Sequence, residues 1–151
     1  PSLGGHYQVL HHTQYLLQLL NENRFSVSQR LNEKIAFHDP CYLGRHNGIF
    51  TAPRQLAQAA CVKKITELDQ NQRNSFCCGG GGGMNFMEEP PEKRINRQRA
   101  QQVRESGADL VVTACPTCLQ MLEDGFGALD ESGETAVCDI AEILWEAVNH
   151  D

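Results

Sequence analysis

Apolar residues along this chain come in short bursts, separated by polar stretches rich in glycine and proline. After a turn-rich start over residues 1–5, Leu16, Leu17, Leu19 and Leu20 line one side of a predicted helix over residues 13–23, with Thr13 as its cap. Residues 34–38, Lys-Ile-Ala-Phe-His, read as a short buried strand that Asp39-Pro40 breaks. Pro53 opens a second helical pattern through Leu56, Ala57, Ala60 and Lys64. Ile65 and Leu68 suit a short irregular strand. A third helix spans residues 92–106 and stops at Gly107, a residue suited to the left-handed position past a helix end. Leu-Val-Val within residues 109–113 is the clearest strand, followed by a helix over residues 118–123. Residues 135–138 form another candidate strand. Asp139 then caps a final helix carrying Ile140, Ile143, Leu144, Ala147 and Val148.

Strands alternating with helices predict an α/β fold: an open, mostly parallel sheet with helices on both faces. Cysteine-bearing loops then converge at one sheet edge, because open sheets of this kind gather ligands at the carboxyl ends of their strands. Residues 1–33 are expected to form an N-terminal helical segment that packs on, or links to, a cysteine-rich domain over residues 34–151.

With 151 residues, the chain is long enough for one hydrophobic core. It begins Pro1-Ser2-Leu3, without methionine, which reads as a fragment or a processed chain. No apolar run is long enough to cross a membrane, and no secretory leader is visible. The net charge is -6, from 19 acidic and 13 basic residues. Nucleic acid is therefore excluded as the expected partner, since phosphate contacts need clustered Lys and Arg. The densest basic run, Lys93, Arg94, Arg97 and Arg99, lies in a helical pattern with Glu92 and several glutamines, and reads as a solvated helix face.

Seven cysteines change the picture. An odd number argues against a closed disulfide framework and points to a reducing, cytoplasmic setting where thiols serve ligation or redox chemistry. Cys61 falls in a helical pattern and Cys138 directly precedes a cap, so both read as core residues. The other five come from three loops. Cys41 follows Pro40, Cys77-Cys78 leads into five glycines, and Cys115-Pro116-Thr117-Cys118 follows the clearest strand.

Thiolates bind soft metals and iron-sulfur clusters. Several in one pocket repel one another once ionised, and a metal centre offsets that repulsion. The Cys115-x-x-Cys118 spacing lets two sulfurs reach one centre. Adjacent cysteines share a centre only if the backbone bends, and Gly79, Gly80 and Gly81 supply that freedom while bringing N–H groups close to sulfur. A flexible surface loop would explain the glycines without explaining the paired cysteines. A phosphate-binding loop is excluded, because neither GK[ST] nor GxGxxG is present. Met84 and Met87 are expected to pack beside the site or line a contact surface. His11 and His12 read as surface or boundary residues, and His38 as a residue that orients the strand end.

The blocks His38-Asp39-Pro40-Cys41-Tyr42-Leu43-Gly44-Arg45, Cys77-Cys78-Gly79 and Cys115-Pro116-x-Cys118 resemble the cysteine-rich CCG domain. That family includes the catalytic subunit of heterodisulfide reductase, iron-sulfur subunits of glycolate and lactate oxidation systems, and reductases linked to electron-transferring flavoprotein. The resemblance runs over residues 35–148. It implies a [4Fe-4S] cluster of non-cubane form, ligated by Cys41, Cys77, Cys78, Cys115 and Cys118. It places Gly79, Gly80, Gly81 and Arg45 around that cofactor. Arg45 and His46 could equally pair with surface carboxylates. The resemblance further implies an electron-transfer module of an oxidoreductase, the C-terminal CCG domain of a longer polypeptide. Implied partners are a preceding domain of the same polypeptide and a flavoprotein or another iron-sulfur subunit. A quinone-linked, membrane-associated complex would keep the domain peripheral to the cytoplasmic membrane.

Two other readings stay open. Four of the five cysteines could close a structural zinc site in an interaction domain. Alternatively, Cys115 and Cys118 could form the redox pair of a thiol-disulfide oxidoreductase.

Overall fold

The computed structural model of the protein describes residues 4–129 and 135–148. Pro1 to Leu3, part of the turn-rich start, lie outside the described residues. Among the described residues, four strands form one parallel sheet: β1 (Ile35–Phe37), β2 (Thr66–Glu67), β3 (Leu110–Thr113) and β4 (Ala136–Asp139), in the order β2-β1-β3-β4. Five α-helices accompany them among the described residues: α1 (His12–Asn21), α2 (Thr51–Ala60), α3 (Ile95–Glu105), α4 (Pro116–Leu129) and α5 (Ile140–Ala147).

The period-two alternation of strand side chains divides the core. Ile35, Phe37, Leu110 and Val112 face α2 and α5, with Leu16, Leu17 and Leu20 of α1 packed at the margin. Ala36 and Val111 face the other way, onto Ala100 and Val103 of α3 and Leu122 and Phe126 of α4. Both central strands are buried throughout, as expected of a parallel sheet covered on two faces. The expected α/β architecture is thus the one observed.

Helix ends follow local chemistry. Asp139 caps α5 as expected: its carboxylate accepts from the Ala141 N–H at 2.9 Å, and Glu142 returns the bond to the Asp139 N–H at 2.6 Å. At α1 the cap is His11, where Thr13 was expected. The Nδ1 of His11 accepts from the Thr13 N–H and the Gln14 side chain closes back on the His11 N–H, leaving Thr13 buried inside the first turn. Pro90-Pro91 confines residues 91–93 to a single 3₁₀ turn, so α3 starts later than expected, at Ile95. Gly107 ends it with φ +66°, the left-handed conformation anticipated there. The expected helix over 118–123 is longer at both ends, because Pro116 suits a first turn and Phe126 extends the apolar face.

The strand order places the site. From β1 the chain crosses through α2 to β2 on one side. From β2 it returns through α3 to β3, on the other side of β1. Neighbouring β1 and β3 therefore send their following loops in opposite directions, and a crevice opens at their carboxyl ends.

Candidate metal centre

The three cysteine loops meet at that crevice. Cys41 follows β1 by four residues and begins a π-type turn over Tyr42–His46. The Gly44 N–H bonds the Pro40 carbonyl at 2.9 Å and the His46 N–H bonds the Cys41 carbonyl at 3.1 Å. Cys115 follows β3, and Cys118 is buried in the first turn of α4. Cys77 and Cys78 arrive on the loop that ends in the glycine run. All seven cysteines are free thiols.

Hydrogen bonds connect the sulfurs. Cys78 bonds Cys118 and Cys77, and Cys118 also bonds Cys115. Cys77 feels the charge of Cys41. Bonds from Cys118 and Cys77, helped by His38 and the Gly80 N–H, hold Cys78 far below the usual thiol range against its burial. The bond to Cys78 pushes Cys77 up, and the bonds to Cys115 and Cys78 push Cys118 up. The bond from Cys118 draws Cys115 down to about 6, against burial and with help from the Cys118 and Thr117 N–H groups. Metal-free, the pocket therefore concentrates negative charge on Cys78 and Cys115 and keeps protons on their neighbours. That distribution suits a soft cation or a cluster, which would take up the remaining sulfurs as thiolates.

The glycines behave as two groups. Gly79 adopts φ +93°, and its N–H donates to Cys77 Sγ at 3.3 Å. A Cβ on Gly79 would lie 3.1 Å from the Asn96 nitrogen, and one on Gly80 only 2.5 Å from Thr117 Cγ2. These two glycines are pressed against α3 and α4, while Gly81 has open space around it. Arg45 braces the loop from outside: its guanidinium donates to the Ser75 carbonyl at 2.5 Å, two residues before Cys77. A cleft of about 350 Å³ beside the glycines is lined by Met84, Met87, Phe86 and Met121. A second, apolar cleft of about 430 Å³, lined by Val9, Leu10, His11, Tyr42 and Leu43, reaches Cys115.

Cys61 and Cys138 stand apart. Cys61 is buried, its thiol donates to the Ala57 carbonyl at 2.8 Å, and burial raises it to about 11. Cys138 packs at the edge of the core. Both are the apolar cysteines anticipated.

Two residues take places at the site that the sequence reading did not give them. His38 is 1% exposed, and one of its ring nitrogens lies within 4.8 Å of Cys78 and Cys118 sulfurs. Its Nδ1 accepts from Arg99 Nε at 3.0 Å. Arginine can only donate, so the ring proton sits on Nε2, which is left to bond Cys78. Burial, with the Arg99 cation, lowers the His38 pKa and keeps the ring neutral. Arg99 corrects the solvated-face reading of the basic run: it is 0% exposed. Burial lowers its pKa to about 10, which leaves it charged at neutral pH. The available signal was its register, since Asn96, Arg99, Ala100 and Val103 form one inward stripe at helical spacing.

Comparison with known proteins places the chain among cysteine-rich, iron-sulfur proteins. The profile of the family described as CCG, cysteine-rich domain, matches residues 35–123. The EtfAB:quinone oxidoreductase of Syntrophomonas wolfei is 39% identical over 155 residues, covering 98% of this chain and 22% of that protein. The probable iron-sulfur-binding oxidoreductase FadF of Bacillus subtilis is 34% identical, covering 98% and 21%. A component of the dihydromethanophenazine:CoB–CoM heterodisulfide reductase of Methanosarcina barkeri is 34% identical, covering 94% and 34%. The chain thus spans between about a fifth and a third of the length of these relatives.

Proposed function

Because the chain belongs to the cysteine-rich CCG domain family, we propose that it is an iron-sulfur module of an oxidoreductase, with Cys41, Cys77, Cys78, Cys115 and Cys118 as cluster ligands. The supporting observation is the linked set of sulfurs at one crevice, drawn from three loops that are far apart in sequence. Five thiols exceed the four that an ordinary cubane uses, which favours a non-cubane [4Fe-4S] centre. When bound, the cluster supplies one-electron transfer. The chain's own residues hold it. Gly79 and Gly80 turn N–H groups toward sulfur, Arg45 fixes the loop before Cys77, and the start of α4 presents Cys115 from just before its first turn and Cys118 from within it.

Residues 34–151 carry the ligand loops in this reading, and residues 1–33 dock on them through α1. The electron donor is a flavoprotein or another iron-sulfur centre, in keeping with the names of the relatives. A preceding domain of the same polypeptide and a quinone-linked membrane complex complete the assembly. Among the described residues no helix is long and apolar enough to cross a membrane, so membrane association would come through those partners.

A zinc site has one specific observation in its favour: His38, Cys78 and Cys118 could offer three ligand atoms. The Arg99 bond weighs against it. A ligating imidazole normally donates its second nitrogen's proton outward, whereas Nδ1 of His38 accepts. Ligation through Nε2 would then require an imidazolate.

Iron, zinc and acid-labile sulfide per chain, measured on anaerobically purified protein together with its EPR spectrum, test the function. About four iron and four sulfide, with a signal unlike a cubane, are expected. One zinc and no sulfide would replace this reading with the structural-site one.

A further inference from the structure

Arg99 heads the largest fully buried side chains and lies behind His38 as seen from the cysteines. Each nitrogen of its guanidinium has an acceptor: Nε donates to His38 Nδ1 at 3.0 Å, Nη1 to Gln102 Oε1 at 2.8 Å, and Nη2 to the Gln70 carbonyl at 3.1 Å. All three acceptors are neutral. No carboxylate forms an ion pair with it among the described residues. The adjacent acid, Asp39, is already gripped by both terminal nitrogens of Arg54 and by the Gln72 N–H, and reaches Arg99 only through its field. A buried cation without a paired anion is costly unless negative charge lies nearby. That charge comes first from the field of Asp39 and then from the thiols of Cys118 and Cys78, one imidazole away.

We propose that Arg99 is a positioning residue for the metal centre. Its buried guanidinium supplies the countercharge of the anionic thiolate-bound cluster, and it holds His38 in the tautomer whose Nε2–H donates to Cys78. This rests on the iron-sulfur reading above. Both effects act in one direction. A hydrogen bond to a ligand sulfur and a nearby positive charge each stabilise the more negative, reduced cluster, so both raise the reduction potential. They also divide the role of Arg99 between two states. With the cluster bound, its charge is compensated. Without it, the cation keeps only the fields of Asp39 and of the free thiols.

The test uses the full chain, with Arg99→Met, Arg99→Lys and His38→Gln beside the wild type. The first reading is iron and sulfide in the wild type. A wild type without a cluster would overturn the iron-sulfur reading and this role together. With the cluster present, EPR-monitored titration should give a lower midpoint potential in Arg99→Met. Arg99→Lys should show a smaller fall, because it keeps the charge and loses the fork geometry. His38→Gln should also show a smaller fall, because an amide N–H can still reach Cys78. Metal-free Arg99→Met should be at least as stable to urea as the metal-free wild type, while its loaded form surrenders iron to a chelator several-fold faster. A loaded Arg99→Met whose potential equals that of the wild type would reduce Arg99 to a strut between α3 and β1 and sink only this role. If Arg99→Met fails to fold, ¹⁵N NMR of the His38 ring in the wild type decides: a protonated Nε2 and bare Nδ1 are expected, and a proton on Nδ1 would overturn the assignment.

Discussion

Arg54 clamps Asp39 through both carboxylate oxygens, Nη1 to Oδ1 at 2.7 Å and Nη2 to Oδ2 at 2.8 Å. Its Nε and Nη2 also reach the two oxygens of Glu67 on β2, at 2.7 and 2.8 Å. One guanidinium therefore ties α2, the exit of β1 and the edge strand together, two residues before Cys41. Burial works against its charge, and the bonds from Asp39 and then Glu67 outweigh burial and raise its pKa above the ordinary arginine value.

The Asp39 side chain is only 2% exposed, so Arg54→Ala strands a carboxylate. A loss of about 3–5 kcal/mol is expected at neutral pH, measured by urea denaturation of the metal-free chain. Arg54→Lys should recover only part of it, because an ammonium cannot reproduce the fork that serves two carboxylates. A loss below about 1 kcal/mol would show the clamp to be dispensable, as exposed pairs commonly are.

The glycine loop should divide sharply on alanine substitution. Gly80→Ala drives a Cβ to 2.5 Å from Thr117 Cγ2 and 2.9 Å from Met121 Cγ. Overpacking of this kind costs about 1–3 kcal/mol, and here it displaces the loop that carries Cys78. Gly79→Ala adds the strain of φ +93°. Gly81→Ala meets nothing within 4 Å. Iron content per chain is the measurement: it should fall for the first two and match the wild type for the third.

Serine replacement of each cysteine separates ligands from core. Cys41, Cys77, Cys78, Cys115 and Cys118 are each expected to lower iron content or change the EPR signal when replaced. Cys138→Ser should leave both unchanged. Cys61→Ser should also retain the cluster, because serine can still donate to the Ala57 carbonyl. Loss of iron with intact circular dichroism in either of these two variants would add a ligand to the set.

Cys115 is the thiol that an electrophile should find first in the reduced, metal-free chain. Its pKa, drawn down to about 6, leaves it largely thiolate at neutral pH, and an apolar cleft opens onto it. The sign is that of a depressed acid: reactivity is full well above pH 6 and falls as pH drops through that value. Iodoacetamide labelling followed by peptide mass spectrometry, on the acid and the neutral side of that value, reads it. Loading with iron should abolish the labelling, whereas a thiol-disulfide enzyme working through Cys115 would keep it.

Much of the fold was legible because its signals are local. The apolar run of Ile35, Ala36 and Phe37, the Leu-Val-Val of β3 and the Asp139 cap each depend on residues within a few positions of one another. The His11 cap was missed because histidine seldom takes that place and Thr13 stood beside it with the commoner chemistry. Arg99 was missed because charge outweighed register. Its alignment with Ala100 and Val103 pointed inward, but only a buried acceptor could justify following it there.

Read alone, the residues supplied five candidate cysteine ligands and the order of strands and helices. Cysteine spacing, the glycine run and hydrophobic period are properties of short stretches, carried wherever those stretches go. Only the assembled sheet sets β1 beside β3 with β2 outside it, and so brings the loop of Cys41 and the loop of Cys115 and Cys118 to one crevice. Tertiary structure also decided that Arg54 would find Asp39, and that Arg99 would find His38 across 61 positions. The physical reason is that such pairings are selected by the burial of whole sheet faces and the satisfaction of buried charges. Those quantities come into being only when the faces close on one another.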